Sequence, residues 1–249
     1  MDKSTKITIC IAFIIITVLA ITNLTKADIY DSQLLAWWTF NSNNIDSNYI
    51  YDSSSSGLKG YVYGGATTSA QTVGKLGQAL KFTGTTNYAA FANSGSFSEA
   101  TNTISLWIKA TSLPATTGIL SINGVGAPLS ATPNTVIQSN TNCVRIYRTS
   151  GYGSDCTSVS LNIWHHLVFV NTKPTASQST DFYLDGQYKW TDTISYQTGR
   201  TTATVYVGSG YNGYFNGSID DVRIYNRALT AGEVAQLYNT GQSKFTSAF

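Results

Sequence analysis

The chain has 249 residues with 15 Lys and Arg against 13 Asp and Glu, a formal charge of +2 at pH 7. All-β sandwiches of that length commonly fold as one unit, and no linker argues for a second domain. So small a charge excludes an electrostatic case for binding nucleic acid or anionic lipid.

Lys3 and Lys6 precede an apolar run from Ile7 to Ile21, followed by the small-x-small ending Thr25-Lys26-Ala27. That is the pattern of a secretory signal over residues 1–27. As a helix the run spans about 22 Å, short of the roughly 30 Å hydrocarbon core. Cleavage is therefore expected, with a retained N-terminal anchor as the alternative and the only route to a membrane. Cleavage removes three lysines (Lys3, Lys6, Lys26) and one aspartate (Asp2), leaving 12 basic and 12 acidic residues on a secreted or cell-surface domain over 28–249. Of three cysteines, Cys10 lies in the leader, so Cys143 and Cys156 can pair only with each other in an exported protein. Their bridge would close a Ser-, Thr- and Gly-rich loop and contribute on the order of 3 kcal/mol.

Beyond the leader, short β-branched and aromatic runs alternate with Gly, Ser, Asn and Thr clusters. Strands are expected at 34–40, 79–82, 103–110, 143–148, 164–171, 181–184, 204–208 and 218–225. In 103–110, Ile104, Leu106 and Ile108 share one face at period two. Asp185 and Gly186 suit the two positive φ angles of a type I′ hairpin turn. Many antiparallel strands around one core predict a two-sheet sandwich. One short C-terminal helix closes the chain: Thr230 and Glu233 form a capping box, Val234, Leu237 and Tyr238 share a face, and Gly241 suits the stop. Its apolar stripe is expected to cover the sandwich beside the last strand.

Phe215-Asn-Gly-Ser-Ile-Asp-Asp-Val-Arg-Ile-Tyr225, followed by Asn226-Arg-Ala-Leu229 and the capped helix, is the most specific stretch. With it come Ala36-Trp-Trp-Thr-Phe40, Gly77-Gln-Ala-Leu-Lys-Phe82, Ile104-Ser-Leu-Trp-Ile108, Trp164-His-His-Leu-Val168 and Phe182-Tyr-Leu-Asp-Gly186, in that order. Together they resemble the laminin G-like jelly rolls of the concanavalin A-like lectin and glucanase superfamily, over essentially the whole mature chain. The resemblance implies an all-β antiparallel jelly roll. It also implies that one calcium ion can tie an early turn to the closing strand. The chain departs from the pattern in its Asp52-Ser-Ser-Ser-Ser-Gly57 turn and in the loop from Cys143 to Cys156.

Hydrolysis of glycans needs two facing carboxylates, yet no E-x-D-x-E strand motif is present and the only glutamates are Glu99 and the capping Glu233. Asp220 and Asp221 are adjacent, which in a regular strand points them to opposite faces. The same holds for His165 and His166, which lack metal-site spacing; Trp164, His166, Val168 and Val170 read as one apolar face with the imidazole satisfied at the sheet margin. For calcium, the candidate ligands are Asp52, Asp221 and Asp220. The competing reading has Asp52 capping its own serine turn and the Asp pair bonded to neighbouring backbone. Tyr152, Tyr211 and Tyr214, in Gly-rich segments, are candidates for stacking on sugar rings, and core packing is the competing reading for Tyr214. Asn216-Gly-Ser218 is a glycosylation sequon in a eukaryotic secretory host. The expectation is an exported carbohydrate-binding or adhesion module without catalysis, its partner a glycan or cell-surface polysaccharide. A structural or protein-interaction domain at the cell surface is the alternative, and a glycoside hydrolase using aspartates a third.

Overall fold

The computed structural model describes residues 33–64, 70–93, 102–124, 135–148, 151–153, 155–172, 177–195, 203–210 and 213–243. The leader and Cys10 lie outside them. No helix among the described residues is long and apolar enough to cross a membrane. Two antiparallel sheets face each other. The closing sheet runs Gln187–Ser195, Ser177–Leu184, Trp164–Thr172, Asn102–Ser112, Asn216–Tyr225, Gln78–Thr83, Gln71–Val73, with Leu34–Trp38 also pairing along Asn216–Tyr225. The opposing sheet runs Gly151–Tyr152, Cys143–Arg148, Thr135–Ser139, Gly118–Gly124, Ala203–Val207, Tyr88–Asn93, Lys59–Tyr63, Tyr49–Tyr51, Ile45–Asp46. All eight expected strands are present within a few residues of their expected bounds.

The period-two alternation explains the core. Ile104, Leu106, Ile108 and Ala110 of the closing sheet share one buried cluster with Ile50, Val62, Phe91 and Val205 of the opposing sheet. Trp38 bridges the layers by stacking on Phe91, ring centroids 3.6 Å apart. Asp185 (φ 54°) and Gly186 (φ 75°) take the left-handed pair that a type I′ turn needs, so the hairpin registers Leu184 against Gln187. Cys143 and Cys156 are bridged, with Cα atoms 5.7 Å apart, in the ordinary range for a disulfide.

The closing strand is not regular. Asp220 pairs with Trp107 but Arg223 pairs with Ser105, so one extra residue is accommodated in a bulge, and Asp221 takes φ 49° there. Ile219, Val222 and Ile224 keep to the core. Asp220 and Asp221 therefore both fall on the outer side, not on opposite faces.

The helix Ala231–Ser243 lies over that outer side. Thr230 N–H donates to Glu233 Oε2 at 2.7 Å and Glu233 N–H donates back to Thr230 Oγ1 at 3.3 Å, the reciprocal capping box. Arg227 grips the same carboxylate bidentately at 2.7 and 2.9 Å. These hydrogen bonds, the one from Arg227 foremost, hold Glu233 down to about 2. Val234 and Leu229 are buried with Val168, Val170, Tyr183, Tyr225 and Leu34 in a second apolar cluster, as the amphipathic stripe predicts.

Gly241 does not stop this helix; it lies inside it, because the helix must approach Trp107 closely. A Cβ at Gly241 would sit 2.4 Å from Trp107 Cζ2. Gly241→Ala is therefore expected to destabilise by about 1–3 kcal/mol through overpacking, against the roughly 1 kcal/mol that helix propensity alone would add. Urea unfolding reads the sign, and a more stable variant would make Gly241 a mere terminus.

Candidate functional site

Ile50, Val62, Ala89, Phe91, Val205 and Val207 point into the core, so their neighbours in sequence occupy the outer face of the opposing sheet. Those neighbours are largely tyrosines. Register places Tyr49 opposite Tyr61, Tyr61 opposite Ala90, and Ala90 opposite Tyr206, a row across adjacent strands. Tyr63 pairs with Tyr88 one step along. Ring centroids follow one another at 5.3 Å (Tyr49 to Tyr61), 4.9 Å (Tyr61 to Tyr63), 4.9 Å (Tyr63 to Tyr88) and 5.9 Å (Tyr88 to Tyr206). Within it Tyr49, Tyr51 and Tyr63 are 40%, 38% and 42% exposed, and as a contiguous aromatic patch they are of the kind that marks an interaction surface. Lys59 Nζ lies 3.6 Å over the Tyr49 ring and 5.2 Å from that of Tyr51.

Asn48 Nδ2 donates to the Tyr61 hydroxyl at 3.2 Å and so helps to fix that ring. Burial raises the Tyr88 phenol above its usual range, and the phenols of Tyr63, Tyr206 and Tyr214 add to the rise. Burial also raises Tyr206, opposed by a hydrogen bond with Thr204 and aided by Tyr63. The row is thus an apolar platform edged with hydroxyls, able to stack on a ring and to donate and accept hydrogen bonds at its rim.

Of the expected stacking residues, Tyr214 joins this cluster: its ring lies 6.2 Å from that of Tyr88, stacked at 28°. Tyr152 pairs in register with Tyr147 at the far end of the sheet. Tyr211 lies outside the described residues. The sequon is a structural position, since Asn216 pairs with Thr83 and Ser112 within the closing sheet and its Nδ2 donates to Ser112 Oγ at 3.2 Å.

The carboxylates proposed for calcium are engaged by hydrogen-bond donors. Asp52 accepts Trp37 N–H (2.7 Å), Ser54 N–H (2.8 Å), Ser54 Oγ (2.6 Å), Leu58 N–H (3.3 Å) and the Ser56 hydroxyl. Asp221 accepts the Trp37 indole N–H at 2.6 Å and pairs with Arg223 at 3.1 Å. Asp220 accepts Leu76 N–H at 2.8 Å. Calcium takes six to eight oxygens, whereas among the described residues no three His, Cys, Asp or Glu are grouped to hold a metal ion. As placed, these residues do not fit the ion. The first and last strands are tied all the same, by Trp37, which donates its backbone N–H to Asp52 and its indole N–H to Asp221.

Asp52→Asn replaces one accepting oxygen with a donor, so it is expected to cost about 1–3 kcal/mol. The loss should appear equally in calcium and in chelator. A melting curve of the wild type that rises on adding calcium would return the metal reading.

On the closing sheet, beneath the helix, lies a polar cluster that the expected apolar face did not foresee. His166 is buried within the sheet, not at its margin; its ring lies beside that of Trp107 (4.8 Å), and Tyr238 packs against both, 6.2 Å from His166 and 5.7 Å from Trp107. Ser105 Oγ and His166 Nε2 are 2.8 Å apart, the reach of a nucleophile and its base. The third member is not in place. Asp185 accepts His165 Nδ1 at 2.8 Å and the backbone N–H of His166 at 2.9 Å, leaving His166 Nδ1 without a partner. Ser105 and His166 are each 1% exposed, which closes them to a substrate. Burial holds His166 down to about 4, with Asp221 opposing and Arg223 assisting, so it is a neutral packing residue.

Comparison with known proteins bears on the whole arrangement. No curated protein sequence matches the chain. Among solved structures, domain 4 of the extracellular GH43 arabinanase AbnA from Geobacillus stearothermophilus, in complex with arabinotriose, is 21% identical with a TM-score of 0.58, over 83% of this chain and 98% of that one. A Trypanosoma rangeli sialidase mutant displaying trans-sialidase activity is 16% identical with a TM-score of 0.65, but the match covers 85% of this chain and a third of that one (33%). Botulinum neurotoxin type C, whose cell entry depends on two ganglioside molecules, is 15% identical with a TM-score of 0.59, over 87% of this chain and 53% of the other. At such identities the likeness is one of fold. A family model described as the Concanavalin A-like lectin/glucanases superfamily matches residues 83–235, more than half of the sequence. With its paired antiparallel sheets, bulged closing strand and capped helix, the chain belongs to the laminin G-like branch of the Concanavalin A-like lectin/glucanases superfamily.

Proposed function

We propose that the chain is an exported carbohydrate-binding module without catalysis of its own, and that the tyrosine row is its binding face. The observation that carries this reading is the row itself: contiguous phenol rings, in strand register, on the outer face of a lectin-type sandwich. Sugars present apolar C–H faces and equatorial hydroxyls, which stacked phenols and their rim hydroxyls complement. The arabinotriose-bound arabinanase domain, spanned almost in full, supports the same reading. Against hydrolysis stands the placement of the carboxylates: Asp52, Asp185, Asp220 and Asp221 are occupied by internal hydrogen bonds, and cleavage would need two of them facing across a scissile bond. The disulfide and the leader favour the cell exterior.

A glycan array probed with the fluorescently labelled chain tests the reading. Selective binding supports it. Silence on the array together with capture of a surface protein favours the interaction-domain alternative, to which an exposed tyrosine surface is also suited. Release of reducing sugar by the purified chain contradicts the absence of catalysis.

A further inference from the structure

Resting on the reading just given, we infer that the tyrosine face binds a single soluble strand of a linear polysaccharide laid across the β-strands, and neither a lone terminal sugar nor a crystalline polysaccharide surface. The direction comes from register. Tyr49, Tyr61 and Tyr206 lie on strands that neighbour one another through Tyr88–Asn93, where Ala90 leaves the row shallow between Tyr61 and Tyr206. Three strand spacings make the row about 14 Å long, well beyond one sugar ring, which is about the size of a phenol.

The row is also open at one end. Past Tyr49 only the short strand Ile45–Asp46 remains in the sheet, and Tyr49 and Tyr51, 40% and 38% exposed, stand on the strand beside it. A chain lying on the row can therefore run on into solvent there. In the other direction, Ser121 occupies the same register next to Tyr206 and is fully buried, which bounds the platform.

Ring planes decide between a hydrated strand and a crystalline face. Successive rings are inclined at 81° (Tyr49 to Tyr61), 60° (Tyr61 to Tyr63), 14° (Tyr63 to Tyr88) and 56° (Tyr88 to Tyr206). A flat crystal surface requires coplanar aromatic rings. A free strand, whose sugar units turn relative to one another, can present a different face to each inclined ring.

The test is calorimetric titration of the full chain with arabino-, xylo-, cello- and manno-oligosaccharides from monosaccharide to hexasaccharide, with sedimentation against crystalline cellulose. Within a series that binds, affinity should climb by about tenfold or more between monosaccharide and tetrasaccharide, roughly 1.4 kcal/mol, and then level off. Tyr49→Ala should bring the levelling-off to a shorter oligosaccharide. A monosaccharide that binds as tightly as the hexasaccharide, or retention on crystalline cellulose that soluble polymer does not compete away, overturns the inference while leaving glycan binding standing. Failure of every saccharide to bind, with the fold verified by circular dichroism, removes the underlying reading and the inference with it.

Discussion

Asp220→Asn is expected to raise the melting temperature at pH 8 by roughly 5–10 °C, with the gain vanishing near pH 4. Asp220 is fully buried, and only its Oδ2 is matched, by Leu76 N–H; Oδ1 has no partner. Burial, reinforced by the neighbouring Asp221 charge and opposed by the backbone hydrogen bonds, pushes its carboxyl from 3.8 to about 8. The folded state thus holds a proton that the unfolded state releases, so stability is fully present below the unfolded value and is lost as pH rises toward 8. At neutral pH the loss is on the order of 4 kcal/mol. Asparagine does not titrate and still accepts from Leu76. Its unpaired amide returns part of the gain, about 1–2 kcal/mol. The opposite trend from His166, which costs stability as pH falls from 6.5 towards about 4, is common to both proteins and cancels in the difference. Melting curves of the pair from pH 4 to pH 8 read this directly, and a constant offset across the range would mean that Asp220 is ionised in the fold.

Removing the Tyr61 and Tyr206 rings together, as a double alanine variant, should weaken glycan binding by about a hundredfold or more. Buried or half-buried tyrosines at a binding centre each contribute about 2 kcal/mol or more, and two that share one ligand fall short of additive. Neither ring belongs to the core cluster, so the melting temperature should drop by a few degrees at most. Tyr206→Phe keeps the stacking surface and loses only the hydroxyl, and is expected to weaken binding roughly threefold to tenfold. Titration with whichever oligosaccharide binds the wild type provides both numbers. A phenylalanine variant as weak as the alanine one would shift the weight from stacking to the hydroxyl.

How far these features were legible in the sequence depended on the partner each residue meets. Ile104, Leu106 and Ile108, the Asp185-Gly186 turn and the Thr230 to Glu233 box act through neighbours within a few residues, and all are legible in the sequence. Tyr49-Ile50-Tyr51 and Tyr61-Val62-Tyr63 give no clear strand signal, because tyrosine is apolar in body and polar at the tip. Those segments alternate between faces without alternating in polarity, so the platform they form left no period-two signal. The glycine-rich segments carry the stronger local signal for ligand-facing tyrosines, and among the described residues Tyr214 is the one of these placed beside the platform. The bulge at Asp221 depends on a mismatch between two strands more than a hundred residues apart, which no local pattern encodes. Gly241 has the local signature of a helix stop because its reason, the face of Trp107, is equally distant.

The most direct measurement is side-chain NMR of the folded chain titrated with a bound oligosaccharide. Resonances of Tyr49, Tyr61, Tyr63, Tyr88 and Tyr206 should move together and saturate at one ligand concentration, while Trp37, Trp107 and Tyr238 over the opposite sheet stay fixed. Shifts centred on Trp107 and Tyr238, or confined to Tyr211 with the row unmoved, would contradict the assignment of the tyrosine face as the binding site.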